Sequence, residues 1–498
     1  MSAAGLKCYH PSMPARVRRA AALAVVIPVV LVALASSARG AQTAATTSES
    51  SVLARAKQLM EAGRLDEAKS AIEQILAKNP SSARAHDQLG FVLGKQGLTA
   101  EAIAEFERAV AIDPALFDAQ YHLGATLWWT KQIDGARQAL ERAVRLRPAH
   151  AESRYYLALT KRQQGDLDGA IADLRRAVKQ NPKLAVAHMQ LGVSLQQSGD
   201  IDEAIEELER ATSLDPSRPD AANSLGLALM QKGDAQRAVQ TLRAVVERHP
   251  DFGSARLNLG NALLQSGDLD AAVAEYRELT RRDPSNAEGL YDLGLALKQK
   301  DDFDAAETPL RKAMTLDRTM PEAPYTLGVI LWQTGRGEEA ATLFREALSR
   351  KPAYADAHYM LGTVLRQQGD AEGALREFRE TIRINPASAE AYNSIGQLLT
   401  ASRDPTGASE AFAHAERLNK IKANSQASTF AVNAGIEQLK RNHVTAAIAK
   451  FREAIRLAPD NAQAHYQLAI ALKRRGSLAE ARAELEAARR LRKNRVVE

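Results

Sequence analysis

In this 498-residue chain, four histidines have a residue type and spacing that could support metal binding or general-base catalysis: His86, His188, His358 and His465. Imidazole is a common metal ligand and general base. All four stand at the same position of a 34-residue pattern. Stacking of that pattern would spread them along the molecule rather than gather them in one site. We therefore expect them to be structural, with no metal site built on them.

Other chemical signals are weak. The carboxylate pairs Glu206-Glu207 and Glu338-Glu339 fall on predicted helices and are expected to face solvent. The sequence has no Gly-rich phosphate loop, no Gly-x-Ser-x-Gly elbow and no His-Glu-x-x-His pair. Its one cysteine, Cys8, excludes a disulfide framework and cysteine-built metal sites. We expect no enzyme activity and no cofactor.

Aromatic and amide side chains recur at fixed places of the same pattern. Tyr and Trp suit recognition surfaces, and a Gln amide both donates and accepts hydrogen bonds. Such a set could hold an extended protein segment whatever its sequence. Two alternatives remain open: packing of the tyrosines between adjacent repeats, and a simple preference of Gln for an exposed helix end. The candidate peptide-binding residues are Tyr121, Trp128, Tyr155, Tyr291, Gln299, Tyr325, Trp332, Gln333, Tyr359 and Gln367.

An internal repeat governs the fold. From Pro80 to Pro284 a proline recurs every 34 residues, and Leu-Gly pairs such as Leu361-Gly362 recur with the same period. An alanine follows each of these glycines by twelve residues. The pattern predicts two helices per repeat, separated by a turn and ended by the proline. Small Gly and Ala residues allow the paired helices to approach closely, and neighbouring repeats stack.

The segment AHYMLGTVLRQQGDAEGALREFRETIRINP, residues 357–386, resembles the tetratricopeptide repeat (TPR) family. We count eleven repeats over 49–422 and two more over 428–495. The resemblance implies an all-α fold, an α-solenoid superhelix of about thirteen stacked 34-residue helix-turn-helix repeats. It also implies a concave groove, lined by the free face of each first helix, that binds proteins or peptides. The family's clamp for chaperone tails is absent, because Asn223 is followed by Leu227 and Asn393 by Gln397.

Two places depart from the pattern. Around 301–324, Asp301 replaces the turn glycine, and Pro309 and Pro324 fall within predicted helices. We interpret this region as a bend. Around 403–427, Lys420 replaces the proline and residues 423–427 are inserted, which we interpret as a seam between subarrays. The alternative is that such irregular repeats have no consequence.

The N-terminal 40 residues are typical of a signal peptide. Arg16, Arg18 and Arg19 precede a short apolar run, and small residues follow it. An uncleaved anchor over 20–38 is the alternative. Residues 41–48 are predicted to be a linker. The expected location is periplasmic or secreted, or the inner membrane if the segment is an anchor, with membrane contact only in that case.

The charge does not indicate a nucleic-acid partner. The net charge of the whole chain is +6. Residues 1–38 contain Lys7 and the three arginines named above but no acidic residue, so the rest of the chain has 62 cations, 60 acids and a net charge of +2. We expect a non-catalytic protein–protein interaction scaffold of a bacterial cell envelope. Two alternatives are an accessory subunit of an envelope complex for polysaccharide export or protein glycosylation, and a self-assembling structural protein.

Overall fold

The computed structural model describes residues 43–495, and the side chains of residues 49–492. This part of the chain forms 25 α-helices and no strand. The all-α fold class is therefore confirmed. The predicted signal segment, residues 1–40, lies outside the described residues. Among the helices of residues 43–495, none combines the length and apolar character needed to cross a membrane.

The described chain divides into two compact units, and the first ends at Asp268. Its helices are α1 (Thr43–Glu61), α2 (Leu65–Lys78), α3 (Ala83–Lys95), α4 (Thr99–Ile112), α5 (Phe117–Trp129), α6 (Ile133–Leu146), α7 (Ala151–Gln163), α8 (Leu167–Gln180), α9 (Ala185–Ser198), α10 (Ile201–Leu214), α11 (Pro219–Lys232), α12 (Ala235–Arg248) and α13 (Gly253–Ser266).

The second unit begins at Leu269. Its helices are α14 (Leu269–Arg282), α15 (Ala287–Gln299), α16 (Phe303–Leu316), α17 (Glu322–Gln333), α18 (Gly337–Arg350), α19 (Ala355–Gln367), α20 (Ala371–Ile384), α21 (Ala389–Ala401), α22 (Pro405–Lys440), α23 (Val444–Leu457), α24 (Ala462–Arg475) and α25 (Leu478–Arg495).

Within each unit, successive helices pair as the repeat pattern predicts. The first helix of a repeat packs against its second helix, which packs against the first helix of the next repeat. Close packing depends on the Leu-Gly glycine. A Cβ at Gly328 would lie 2.7 Å from Cε1 of Phe344, so the phenylalanine ring occupies the space that a side chain would need. Within each unit the core thus lies between the helices and is built one repeat at a time.

The turn between the two helices keeps its shape even where glycine is absent. Gly199 and Gly335 have positive φ angles of 91° and 84°. Asp301 and Arg403, which replace the glycine, have φ angles of 58° and 62°. Left-handed backbone is unfavourable for residues with a Cβ, so packing of the flanking helices holds these turns in place.

The prolines near residue 320 leave both helices intact. Helix α16 continues through Pro309 over the usual 14 residues. Pro324 is the third residue of α17, where a backbone N–H has no partner within the helix. Pro324 is therefore not an interior proline and removes no helical hydrogen bond. The bend at Pro309 stays a prediction.

The predicted insertion does not form a loop. Residues 423–427 lie within α22, a single helix of 36 residues that joins the second helix of repeat 11 to the first helix of repeat 12. Lys420 stands where most other repeats have a helix-ending proline, and no Gly or Pro occurs between Gly407 and Gly435. Nothing in this stretch breaks a helix, so the turn is lost.

At the other end of the chain, α1 begins at Thr43, so residues 43–48 of the predicted linker are helical.

Candidate protein-binding surface

The recurring histidines tie repeats together. Nδ1 of His358 lies 2.6 Å from Oε2 of Glu377, on the second helix of the same repeat, and Nε2 lies 3.0 Å from the carbonyl oxygen of Pro352. The other three histidines make the same two contacts, with Glu105 and Pro80, Glu207 and Pro182, and Glu484 and Pro459. The interpretation of these histidines as structural residues thus has a geometric basis. The hydrogen bond to Glu377 raises the pKa of His358.

Other side chains perform the same task where histidine is absent. The Gln120 amide donates to the carbonyl of Pro114, and Nε of Arg154 donates to the carbonyl of Pro148, both at 3.0 Å. In these repeats the fourth residue therefore partners the proline carbonyl near the end of the preceding repeat. Within residues 43–495, no group of three or more His, Cys, Asp or Glu side chains is placed to hold a metal ion.

The first helices of adjacent repeats contact each other directly within each unit. In the first unit, Nδ1 of His122 lies 2.8 Å from Oδ1 of Asp87, and the Asn258 amide donates to Oδ1 of Asn223 at 2.8 Å. The Gln265 amide donates to the carbonyl of Met230 at 3.0 Å. These contacts run from one repeat to the next along one side of the array. We call this surface, made of repeat positions 2, 5, 9, 12 and 13, the first-helix face.

Three predicted tyrosines lie side by side on the first-helix face of the second unit, and all are half-buried. The Tyr291 side chain lies near Thr326 of the next repeat, and burial raises the pKa of Tyr291. The Tyr325 ring lies 5.0 Å from that of Tyr354, and burial raises the pKa of Tyr325 to about 12. The third tyrosine, Tyr359, contacts a core phenylalanine. The rings of Tyr325 and Tyr359 also pack against phenylalanines on the second helix of their own repeat, and all three tyrosines expose part of their surface.

Trp332 and Gln367 form a direct link on the same surface. The indole Nε1 of Trp332 donates to Oε1 of Gln367 at 2.8 Å. The Trp332 ring is half-buried, whereas the side chains of Gln299, Gln333 and Gln367 are exposed. The amide nitrogen of Gln367 is not used in the bond to Trp332. Partly exposed rings and exposed amides therefore alternate over three adjacent repeats.

The predicted residues of the first unit are packed more deeply. Tyr121 is only 7% exposed and belongs to the core, so its side chain does not present a free binding surface. Tyr155 and Trp128 are half-buried. Nε1 of Trp128 is buried without a hydrogen-bond partner. The physical reason for the burial of Tyr121 is its contact with the next repeat, where the Tyr156 ring lies 6.1 Å away.

Sequence reasoning missed the residues against which these rings pack. Tyr156 contacts both Trp128, at 5.7 Å between ring centroids, and Tyr155, at 5.1 Å. Tyr354, the residue directly before α19, lies against Tyr325 of the same repeat. The signal that could have found Tyr156 is its position directly after Tyr155, because repeat position 6 contacts position 5 of the preceding repeat. The loop position of Tyr354 gave no comparable signal.

The sequence matches several family models, each described as a tetratricopeptide repeat. The matched residues are 53–117, 126–185, 189–251, 325–389, 359–420 and 432–495 for the first, 229–293 for the second, and 287–320 for the third. No curated protein sequence matches the chain.

Several solved structures are similar to parts of the chain. One, a crystal structure of MamA, is 30% identical over 33% of this chain and 96% of its own, with a TM-score of 0.32. YrrB, described as a TPR protein with an unusual peptide-binding site, is 23% identical over 37% of this chain and 95% of its own, with a TM-score of 0.34. The Cut9–Hcn1 hetero-tetramer of APC/C is 14% identical over 84% and 95%, with a TM-score of 0.36.

The family matches cover well over half of the chain, and they fall on the helix pairs that the structure describes. The chain belongs to the tetratricopeptide repeat family.

Proposed function

We propose that the protein is a non-catalytic scaffold that binds extended protein segments along its first-helix face. The observation that carries this proposal is the surface of the second unit formed by Tyr291, Tyr325, Trp332 and Tyr359 with Gln299, Gln333 and Gln367. We call these seven residues the aromatic–amide strip. Its rings are half-buried, so they are held in place, and its amides are exposed.

Each part of the strip has a separate role in binding. A ring that is already fixed by its neighbours loses little side-chain entropy when a ligand covers it, so it is a good anchor. The exposed amide of Gln333 can donate to a backbone carbonyl and accept from a backbone N–H. Such contacts do not depend on the side chains of the ligand. The strip therefore suits extended segments of varied sequence, provided that some carry apolar side chains to cover the rings.

We further propose that the scaffold is exported and acts in a bacterial cell envelope. The support is in the sequence of residues 1–40, which has the basic, apolar and small-residue segments of a secretory signal. N-terminal sequencing of protein from envelope fractions tests this. A mature chain that starts between about residues 36 and 42 supports export with cleavage, whereas an intact Arg18–Val30 segment contradicts it.

The scaffold function is tested by capture of partners from an envelope extract. The chain is immobilised, bound proteins are cross-linked, and cross-linked peptides are mapped by mass spectrometry. We expect partner segments to cross-link to residues of α15, α17 and α19. Recovery of a polysaccharide synthase or a glycosyltransferase would instead identify an accessory subunit of an enzyme complex. Partners that cross-link only outside the first-helix face would contradict the proposed site.

A further inference from the structure

Helix α22 carries an unusual amount of exposed apolar surface. Phe412 is 39% exposed, Ile421 58% and Phe430 74%. Phe412 and Phe430 are the two exposed phenylalanines of the described chain. Residues 419–423, in the middle of the helix, are all exposed as well. The middle of α22 therefore has no covering element among residues 43–495.

The exposure of Phe412 follows from the missing turn. Phe412 faces Gly396 within its own repeat, as Phe344 and Phe378 face their glycines. Those two equivalents are 0% exposed, because the first helix of the following repeat covers them. In repeat 11 the chain continues straight along α22 and does not fold back. The side of Phe412 that the next helix would cover is therefore open to solvent.

Phe430 explains why the chain does not fold back. It is the third residue of repeat 12. In the other repeats of the second unit this position is Gly or Ala, and the residue is fully buried, as Ala323, Ala357, Ala391 and Ala464 show. Only a small residue fits where a first helix meets the preceding second helix. A phenylalanine at this position cannot enter that contact, so it remains outside, on the surface of α22.

The two phenylalanines lie on one face of α22. They are 18 residues apart, which is five turns of about 3.6 residues and roughly 27 Å along the axis. Ile421 lies midway, nine residues from each, and therefore points to the opposite side of the helix. On the face of the phenylalanines, the residues nearest the midpoint are Asn419 and Ala423. Both are short enough to allow a second helix to approach closely.

We propose that this face binds a second copy of the same chain, through antiparallel contact of the two α22 helices about a two-fold axis near Ile421. In that antiparallel arrangement, Phe412 of each copy lies against Phe430 of the other. Both rings are covered at the same time, and Glu416 meets Gln426. The reason to choose a second copy is that one face carries the same exposed residue type at both ends, which makes it complementary to itself in a two-fold contact.

This dimer does not use the aromatic–amide strip, so it stands apart from the proposed function. The contact covers few residues compared with a standard protein interface, so we expect it to form and dissociate at micromolar concentrations. Two copies would join two binding surfaces in one particle. Such a particle holds partners that carry two segments more strongly than a single chain does.

Analytical ultracentrifugation of the full described chain, from about 1 to 100 μM, tests the dimer. The native chain should pass from monomer to dimer within this range. Phe430→Ser removes a ring that contributes little to the fold, and it should weaken association at least tenfold. Ile421→Ser is the matched control, since it removes a similarly exposed apolar side chain from the opposite side of the same helix. It should leave association unchanged.

Cross-linking tests the orientation of the two copies. Residues 43–495 contain no cysteine, so Ala423→Cys places a single thiol on the predicted contact face close to the axis, and mild oxidation should join two chains. Arg417→Cys places a thiol on the other side of α22 and should not cross-link efficiently. The proposal is overturned if the native chain stays monomeric at the highest concentration, if Ile421→Ser weakens association as much as Phe430→Ser, or if Arg417→Cys cross-links better than Ala423→Cys.

Discussion

The indole nitrogen of Trp332 donates to Oε1 of Gln367 at 2.8 Å, and the pair joins the first helices of two adjacent repeats. Trp128 and Gln163 occupy the same repeat positions in the first unit. There the indole nitrogen is buried and has no partner. One sequence pattern has therefore produced a satisfied link in the aromatic–amide strip and an unsatisfied donor elsewhere.

Replacement of the two tryptophans should have different effects. Trp332→Phe keeps an aromatic ring and removes the donor, so we expect a loss of about 0.5–1.5 kcal/mol in the free energy of unfolding. Trp128→Phe removes a donor that is buried without a partner, which relieves a desolvation cost and offsets the lost packing. Urea unfolding of the two variants measures the difference. An equal loss in both would show that ring size, and not the hydrogen bond, determines the result.

Glycine substitutions test the close approach of paired helices. Gly328→Ala introduces a Cβ about 2.7 Å from the Phe344 ring and should cost roughly 1–3 kcal/mol. Gly337→Ala is the control, because the nearest atom to its Cβ is a Val364 methyl at 3.8 Å and α18 begins there. Hydrogen exchange should show lost protection in α17, α18 and their neighbours for Gly328→Ala. Uniform loss along the whole chain would contradict repeat-local stability.

The His358–Glu377 contact should make stability depend on pH. The hydrogen bond to Glu377 raises the pKa of His358 above its ordinary value of about 6.5, so the folded state binds the proton more tightly than the unfolded state. The stabilisation from this contact is fully present at pH values below the pKa of His358 in the unfolded chain. It is lost as the pH rises through the higher pKa of His358 in the folded protein. His358→Gln removes this proton and still provides a donor for the Pro352 carbonyl, as Gln120 does for Pro114.

The difference in unfolding free energy between the native chain and His358→Gln should therefore be larger at about pH 5.5 than at about pH 8. Urea unfolding at the two pH values gives this difference. A difference that stays constant, or grows as pH rises, would contradict the assignment of the raised pKa.

The two prolines of the irregular repeat should respond differently to replacement. Pro309 is in the interior of α16, so Pro309→Ala restores a backbone N–H and should stabilise the helix. The gain in the free energy of unfolding should be up to about 3 kcal/mol, reduced by the packing energy that the buried proline ring contributes. Pro324→Ala, in the first turn of α17, should change stability little. Thermal unfolding checks both. A larger gain from Pro324→Ala would contradict the assignment of helix positions.

The repeat pattern determined most of the fold in advance, because its period places the Leu-Gly pairs and the turns outside α22. The contacts between repeats were less accessible. Each of the four histidines is followed 19 residues later by a glutamate, and this spacing could have identified the pairs with Glu105, Glu207, Glu377 and Glu484. The proline carbonyl as a second partner had no sequence signal.

The candidate site could be predicted only in part. Repeat position 5 was predicted to point away from its own second helix, yet the rings of Tyr325 and Tyr359 contact Phe344 and Phe378 on that helix, and the burial of position 5 also depends on the next repeat. Tyr121 meets Tyr156 there and is covered, whereas Tyr291 meets Thr326 and remains partly exposed. The continuous helix α22 was not predicted, because the inserted residues 423–427 were interpreted as a seam between subarrays. The sequence signals for a continuous helix were the absence of Gly and Pro between Gly407 and Gly435 and the large Phe430 at a position that is Gly or Ala in the other repeats of the second unit.

The most direct test of the scaffold function is the affinity of a captured partner segment for the Tyr325→Ala, Trp332→Ala double variant. Fluorescence anisotropy of the labelled segment gives the dissociation constants, and circular dichroism confirms that the variant is folded. Leu316→Ala, which removes an exposed apolar side chain from a second helix, is the control. Loss of two aromatic anchors should weaken binding more than tenfold while the control binds as the native chain does. Unchanged affinity in a folded double variant would contradict the aromatic–amide strip as the binding site.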